Sequence, residues 1–260
     1  MKTPITYWGG KQTLAPTILS LIPEHVTYCE PFFGGGAVFF KKPASKVEII
    51  NDLNRQVVNF FEQAKTNFPD LQRMIQGTLH SRSRWRDAFV MYQNPHLFND
   101  LQLAWAFYTV TNQGYSGKIG AWGFGTSGNS VEKKLHGARE MFIEDITRRL
   151  ERVQIECNDA LYLLRLRDTT DTFFYIDPPY YNSNMGHYGG YTADDFERLL
   201  QHCAALKGKF LLSSYPSDLL EKHVRESGWH QVELRMKTSA SKGRKDKTEV
   251  LTANYPITAP

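Results

Sequence analysis

Four consecutive residues, Asp177-Pro178-Pro179-Tyr180, set a carboxylate, two rigid turn positions and an aromatic ring directly after an apolar run at 172–176. An exocyclic amine on an aromatic heterocycle, such as adenine N6, is a poor nucleophile. Its lone pair is delocalised into the ring, and its acidity is too low for simple deprotonation. The Asp177 carboxylate and the main-chain carbonyl of Pro178 can both accept hydrogen bonds from such an NH2, drawing the lone pair out of conjugation and aiming it at an electrophile. Consecutive prolines remove two backbone donors and stiffen the turn, while Tyr180 offers a face on which a base can stack. A base handled in this way has to leave the duplex stack first.

Such a turn needs a rigid support. The run 172–176 reads as a strand, which sets Asp177 at a carboxyl end, where open α/β sheets receive ligands. Other β-branched and aromatic runs occur at 26–32, 47–51, 153–157 and 209–214, with helical stretches between them, and this alternation predicts a parallel sheet covered by helices. Two more runs, 230–237 and 248–255, are joined by polar residues too few for a helical crossover, so they are expected to form an antiparallel pair at the C-terminal end of the sheet. Between residues 54 and 150 the spacing turns helical, as in Leu101, Ala104, Trp105 and Tyr108, or Ile143, Ile146 and Leu150. The expected organisation is a core of residues 1–53 and 151–260, with a helical domain of residues 54–150 inserted between the second and third strands. Within that block, residues 113–129 read QGYSGKIGAWGFGTSGN, too polar and glycine-rich for a core element, and are expected to form a long loop that touches a partner.

Further residues suit a bound cofactor. In Tyr7-Trp8-Gly9-Gly10-Lys11 the glycines permit close approach of backbone, and Lys11 can pair with a carboxylate. Glu30-Pro31-Phe32-Phe33-Gly34-Gly35-Gly36 comes after the strand residues 26–29 and removes side chains where a ligand would lie against main chain; it is not G-x-G-x-x-G, which disfavours a nicotinamide cofactor. Asp52 closes the strand 47–51 at the spacing where dinucleotide-type folds place an acid for ribose hydroxyls. It also suits a helix N-cap, and both roles are compatible. Asp159 occupies the corresponding place after 153–157, with the same alternative.

The whole chain has 260 residues, enough for one large α/β domain or a core with an insertion. Hydrophobic and charged fractions of 41% and 22% exclude a fibrous or disordered class, and a formal charge of +4 is compatible with a polyanionic partner without demanding one. Cys29, Cys157 and Cys203 form no C-x-x-C pair and leave an odd count, so neither a disulfide framework nor a zinc site is read. All three are expected to be reduced, buried thiols. The N-terminal MKTPITYWGGK has no apolar segment of the signal-peptide kind, and no apolar run approaches the roughly 20 residues of a membrane helix. A cytoplasmic protein is therefore expected.

Basic residues mark candidate phosphate contacts. Lys242, Arg244, Lys245 and Lys247 lie near the junction of the last two runs with only Asp246 opposing them. Arg82, Arg84 and Arg86 flank Trp85, and Lys118 lies in the glycine-rich loop. After the proline turn, residues 181–191 read YNSNMGHYGGY, as expected of a loop that orders around a base, with Tyr181, Asn182, His187 and Tyr188 as candidate contacts.

These motifs, in this order, resemble the D12-class adenine-specific DNA methyltransferases, the group that includes the Dam-like enzymes. The resemblance covers nearly the whole chain outside the middle block. The segment from Tyr7 to Lys11 resembles the family's N-terminal cofactor motif, with Tyr7 at the position of the aromatic contact. The segment from Glu30 to Gly36 resembles the glycine-rich motif that wraps the methionine part of S-adenosylmethionine, Asp159 matches the place where the cofactor adenine is commonly contacted, and Asp177-Pro178-Pro179-Tyr180 matches the catalytic motif. An inserted block between the last two motifs is the order of the α group. The resemblance implies a Rossmann-like S-adenosylmethionine-dependent methyltransferase fold, an α/β architecture with a mostly parallel seven-stranded sheet, an antiparallel C-terminal strand and an inserted helical target-recognition domain.

The activity it implies is N6 methylation of a flipped-out adenine in double-stranded DNA by S-adenosylmethionine, leaving S-adenosylhomocysteine, with no metal. Cofactor contacts are expected from Tyr7, Trp8, Gly10, Lys11, Glu30, Pro31, Phe32, Gly34, Gly36, Asp52, Asp159 and Asp177. DNA contacts are expected from Arg82, Arg84, Lys118, Tyr181, Asn182, Lys242, Arg244 and Lys245. The chain is expected to act as a monomer in a bacterial or phage-infected cell. Residues 111–118 match the family's readout loop only loosely, so no recognition sequence is carried over. N4-cytosine methylation is the nearest alternative, but that group usually begins its motif with Ser, which favours adenine here. RNA methylation is a further alternative, and so is protein-glutamine methylation, whose motif usually begins with Asn. A DNA-binding module that has lost catalysis is another, and the presence of all four motif residues argues against it.

Overall fold

A computed structural model describes residues 1–7, 9–124, 131–182, 191–236 and 247–258. Among them are seven strands, β1 (Thr27–Glu30), β2 (Val47–Asn51), β3 (Gln154–Glu156), β4 (Thr172–Ile176), β5 (Lys209–Ser214), β6 (His230–Met236) and β7 (Lys247–Ala253). They form one sheet in the order β3-β2-β1-β4-β5-β7-β6. The pairs β1–β2, β1–β4 and β4–β5 are parallel, and β7 runs antiparallel to both β5 and β6. Every expected strand is present, and the antiparallel pair sits at the expected end. β1 stops at Glu30 rather than at residue 32 because the next residue, Pro31, has no N–H to give a ladder.

The helices in chain order are α1 (Ala15–Ser20), α2 (Arg55–Thr66), α3 (Phe68–Gln76), α4 (Arg82–Gln93), α5 (Asp100–Asn112), α6 (Val131–Glu140), α7 (Asp145–Leu150), α8 (Ala160–Leu166), α9 (Ala193–Ala205) and α10 (Asp218–Ser227). The chain divides into two compact units. One holds Met1–Pro16, Gly34–Ala44 and Asp52–Cys157, and the other Thr17–Phe33, Ser45–Asn51 and Asn158–Pro260. The helical stretch thus extends to residues 52–157 and takes in Met1–Pro16 and Gly34–Ala44 as well. Specific bonds hold them there: the Thr6 main-chain N–H and hydroxyl both donate to Asn112 Oδ1 at 3.0 Å, and Arg149 donates to the Phe39 carbonyl at 3.1 Å.

In the first unit α5 is the central helix. Every residue from Leu103 to Asn112 is buried, and its start is sealed by a capping box in which Asn99 and Gln102 exchange side-chain and backbone bonds. Phe60 of α2 packs near Phe107 and Tyr108 of α5 and near Phe142, with centroid distances of 6.1, 6.3 and 6.1 Å. In the second unit, one face of the sheet supplies Cys29, Phe174, Ile176, Phe210 and Leu212 to a core shared with Leu163 and Leu164 of α8, Phe196, Leu199 and Leu200 of α9, and Leu220 of α10. Strand alternation turns Tyr28, Glu30, Phe173 and Tyr175 to the opposite face.

The cysteines depart in part from expectation. Cys29 and Cys203 are buried, but Cys157 is exposed, because it lies past the end of β3, the strand at one edge of the sheet. Among the described residues no helix is long and apolar enough to cross a membrane.

Candidate active site

In the second unit, β4 is buried along its whole length and delivers Asp177 at its carboxyl end. Its register with β5 pairs Tyr175 with Leu211 and Ile176 with Leu212, so one further step sets Asp177 beside Ser213. Ser213 in turn faces Leu251 of β7, and period-two alternation places Glu249 on the same face as Leu251. Three strands therefore converge on one point. The Tyr180 hydroxyl lies there, 3.2 Å from Asp177 Oδ1, 3.0 Å from Ser213 Oγ and 2.5 Å from Glu249 Oε1. Ser213 Oγ also donates to Glu249 Oε1 at 2.5 Å.

The Tyr180 ring meets Tyr215 edge-on at 4.5 Å. Burial pushes the Tyr180 phenol well above its ordinary pKa, and the negative charges of Asp177 and Glu249 push it further, so it remains a proton donor at physiological pH. Tyr175 is raised by burial first, then by Asp177, Glu30 and Glu249. Tyr28 donates to Glu30 Oε2 at 2.7 Å, and its own pKa is raised by burial and then by Glu30. Three carboxylates thus act on the Tyr175 phenol at the carboxyl ends of β1 and β4 and along β7. Their field is suited to an amine that gains positive charge.

The loop after β1 is tied down by Asn51, which is 1% exposed. Its Nδ2 donates to the carbonyls of Pro31 at 2.9 Å and Asn158 at 3.0 Å, and its Oδ1 accepts from the Asn158 N–H at 2.9 Å. Phe32 is half-buried against the helix-covered core of this unit. Asp159 is exposed and caps α8, accepting from the Tyr162 N–H at 2.9 Å. Sequence reading missed Asn51, Ser213 and Glu249. For Asn51 and Ser213 the available signal was a polar residue in the last positions of a largely apolar strand, whereas Glu249 lies in a strand of mixed composition that gives no such signal.

In the first unit, Tyr7 lies over the glycine turn. A Cβ added at Gly34 would stand 2.8 Å from the Tyr7 ring, and one at Gly35 would stand 3.0 Å from Tyr7 Cβ. Gly34 also has φ +49°, a conformation that L side chains rarely adopt. The Gly34 N–H donates to Asp52 Oδ2 at 2.8 Å, and the Asn54 N–H to Asp52 Oδ1 at 2.9 Å. Burial raises the Asp52 pKa while these two N–H bonds oppose the rise. Asp52 is not the N-cap of α2. That role falls to Asn54, which accepts from the Gln56 N–H at 3.0 Å, leaving Asp52 to fasten the glycine turn. Lys11 is buried at 8% exposure with Nζ donating to the Gly9 carbonyl at 3.0 Å, and Gly10 donates to the Tyr7 carbonyl at 3.2 Å. Trp8 lies outside the described residues.

The basic candidates are arranged differently from expectation. Trp85 is buried and stacks on Phe89 at 5.2 Å, because Trp85 and Ala88 form the inward stripe of α4. The guanidinium of Arg82 instead sits 4.7 Å over Trp122. Trp122 stacks on His80 at 5.0 Å and on Phe124 at 5.8 Å, and Phe124 is 60% exposed. This column rests on loop backbone, with Tyr115 N–H to Ala121 O at 2.7 Å and Gly123 N–H to Gln113 O at 2.8 Å.

Gln113, expected in a polar loop, is fully buried. Its amide donates to the Leu79 carbonyl at 2.9 Å and accepts from the Ser81 N–H at 3.3 Å, so its polar groups are satisfied inside the unit. Arg84 pairs with Asp87 at 3.7 Å, and Lys118 is half-buried. In the second unit Tyr181 packs on Phe196 at 5.3 Å, and Asn182 donates to the Pro216 carbonyl at 3.3 Å. Lys242, Arg244, Lys245, His187 and Tyr188 lie outside the described residues.

The sheet order, the glycine turn after β1 and the Asp-Pro-Pro-Tyr turn after β4 define a Rossmann-like methyltransferase core. The family model for the D12 class N6 adenine-specific DNA methyltransferases matches residues 7–238, and the chain belongs to that family. Its reaction class is N6 methylation of adenine in DNA. The Type II methyltransferase M1.LlaDCHI of Lactococcus lactis subsp. cremoris is 29% identical, over 97% of this chain and 95% of that protein. A DNA adenine methylase of Vibrio cholerae serotype O1 is 26% identical over 85% of this chain and 76% of its own length. The DNA N-6-adenine-methyltransferase of Escherichia phage P1 is also 26% identical, over 90% of this chain but 32% of that larger protein.

Proposed function

We propose that this protein binds S-adenosylmethionine and methylates N6 of an adenine flipped out of double-stranded DNA, with Asp177 and the Pro178 carbonyl as the acceptors that activate the amine. The observation that carries this reading is the Asp177 carboxylate at the end of a fully buried strand, in hydrogen-bonding reach of the Tyr180 hydroxyl. Pro179 stiffens the turn, and the Tyr180 ring offers its face to the base. S-adenosylmethionine, when bound, would supply the electrophilic methyl group, its S–C bond breaking to leave S-adenosylhomocysteine as the N–C bond forms. Asp177 stabilises the positive charge gained by the amine nitrogen, whose surplus proton then passes to water.

The donor set fits the cofactor chemically. Each Asp52 oxygen accepts one main-chain N–H, and a carboxylate has about four acceptor positions in all, so ribose hydroxyls can still be received. Tyr7, Trp8, Gly10 and Lys11 are assigned to the cofactor with Glu30, Pro31, Phe32, Gly34 and Gly36, and Asp159 to its adenine. Residues 54–150 are assigned to target recognition, with Arg82, Arg84 and Lys118 on phosphate. Lys242, Arg244 and Lys245 are given the same role, and Tyr181 and Asn182 are placed against the flipped base. The enzyme acts as a monomer in the cytoplasm of a bacterial or phage-infected cell.

The test is to incubate the protein with S-adenosylmethionine and mixed-sequence duplex DNA, digest to nucleosides and quantify these by mass, with Asp177→Ala in parallel. N6-methyladenine from the parent and none from the variant is the expected result. N4-methylcytosine would overturn the base assignment, and S-adenosylmethionine binding without methylation of any DNA would overturn the activity.

A further inference from the structure

The Tyr180 hydroxyl has one proton and two carboxylates within reach. Glu249 Oε1 is at 2.5 Å and Asp177 Oδ1 at 3.2 Å, so the shorter bond takes the proton. Glu249 is 2% exposed, which keeps water from competing, and Ser213 donates to the same oxygen, which fixes the carboxylate in place. A phenol proton directed at Asp177 would occupy an acceptor site there and offset part of its charge. Both are needed to receive an amine.

The geometry points to Glu249 as a positioning residue for methyl transfer, which draws the Tyr180 proton to itself and so keeps it off the Asp177 carboxylate. This rests on the reading that Asp177 accepts the target amine. Glu249 acts through the phenol rather than on the amine or the cofactor, and no covalent step is involved. Glu249→Gln weakens the acceptor and adds an NH2 that donates to the phenol oxygen, which turns the phenolic proton toward Asp177.

The test is a double-mutant cycle read by single-turnover N6 methylation: parent, Glu249→Gln, Tyr180→Phe and the double variant, with cofactor and DNA affinities measured for each. Glu249→Gln is expected to slow methyl transfer about ten-fold or more while both affinities stay within about two-fold. In the Tyr180→Phe background the same substitution is expected to change the rate by less than about two-fold, because no phenolic proton remains to be misdirected. An equal loss in both backgrounds, no loss in either, or a Tyr180→Phe variant without turnover would overturn the proposal. Glu249→Asp, which retains the charge but withdraws it from the phenol, takes the place of Glu249→Gln in the same cycle should that variant not fold. Full activity in Asp177→Ala would instead overturn the reading beneath it, so the two failures are distinguishable.

Discussion

The carboxylate network around Tyr180 and the aromatic column around Trp122 present chemistry in opposite ways. In the network, Ser213 and Glu249 are buried and the register of β5 and β7 sets them, while the rigid turn after β4 brings in the Tyr180 hydroxyl. In the column, Arg82 and Phe124 are exposed and Trp122 is held through the main chain of a loop. A group that has to redirect a lone pair needs fixed geometry and low dielectric. A group that meets a polyanion needs reach and a charge that water already tolerates. Substitutions in the network should therefore change rate, and those on basic residues should change affinity and its salt dependence.

The sharpest contrast is expected from Asp177→Ala, with methyl transfer reduced by at least about 10²–10³-fold and DNA affinity little changed, as measured by single turnover and by titration. A large loss of affinity with the rate intact would reverse the assignment. Replacing Lys242, Arg244 and Lys245 together by Ala should leave the rate at saturating DNA near the parent value and flatten the slope of log affinity against log salt by about 2.7. An unchanged slope would remove these residues from the DNA contact. Arg82→Ala is the single-residue version, with an expected flattening of about 0.9 for any duplex sequence.

Smaller effects concern the supports. Gly34→Ala forces a side chain into φ +49° against Tyr7 and should cost about 1–3 kcal/mol in thermal unfolding together with weaker cofactor binding. A variant as stable as the parent would mean that the turn relaxes. Thr192→Ala removes one half of the capping box of α9 and should cost about 1 kcal/mol near neutral pH. The Thr192 N–H and hydroxyl, with Arg198, hold the Asp195 carboxyl below its ordinary pKa. Its folded pKa is the lower one, so its contribution is complete above the unfolded value and is lost as pH falls through the folded value. The stability difference between parent and Thr192→Ala should accordingly shrink in acid, a trend that melts across about pH 6 to 2 would show.

The strands and the proline turn were readable because each is written in contiguous residues. Val47–Asn51, Thr172–Ile176 and Lys209–Ser214 appear where their β-branched and aromatic runs place them, and Asp177 follows the strand that carries it. Glu249 was not readable, since a carboxylate in a strand acquires meaning only when the neighbouring strands and their offset are known. The same limit applies to Trp85, which adjacency in the sequence sets beside the arginines. Arg82, Arg84 and Arg86 at two-residue spacing point around α4 without declaring which side is buried, and the buried side carries Trp85. Asp52 and Asn54 are both good caps two residues apart, and the Gly34 N–H decides between them by claiming Asp52.

The sequence by itself determined the sheet, the helical character of residues 54–150, the family and the Asp-Pro-Pro-Tyr turn, because local propensity and adjacent residues encode them. Tertiary structure alone decided which polar groups meet. Tyr180, Ser213 and Glu249 lie far apart along the chain and touch only because β4, β5 and β7 pair in one register, a choice settled by core packing on one face of the sheet and felt as hydrogen bonds on the other.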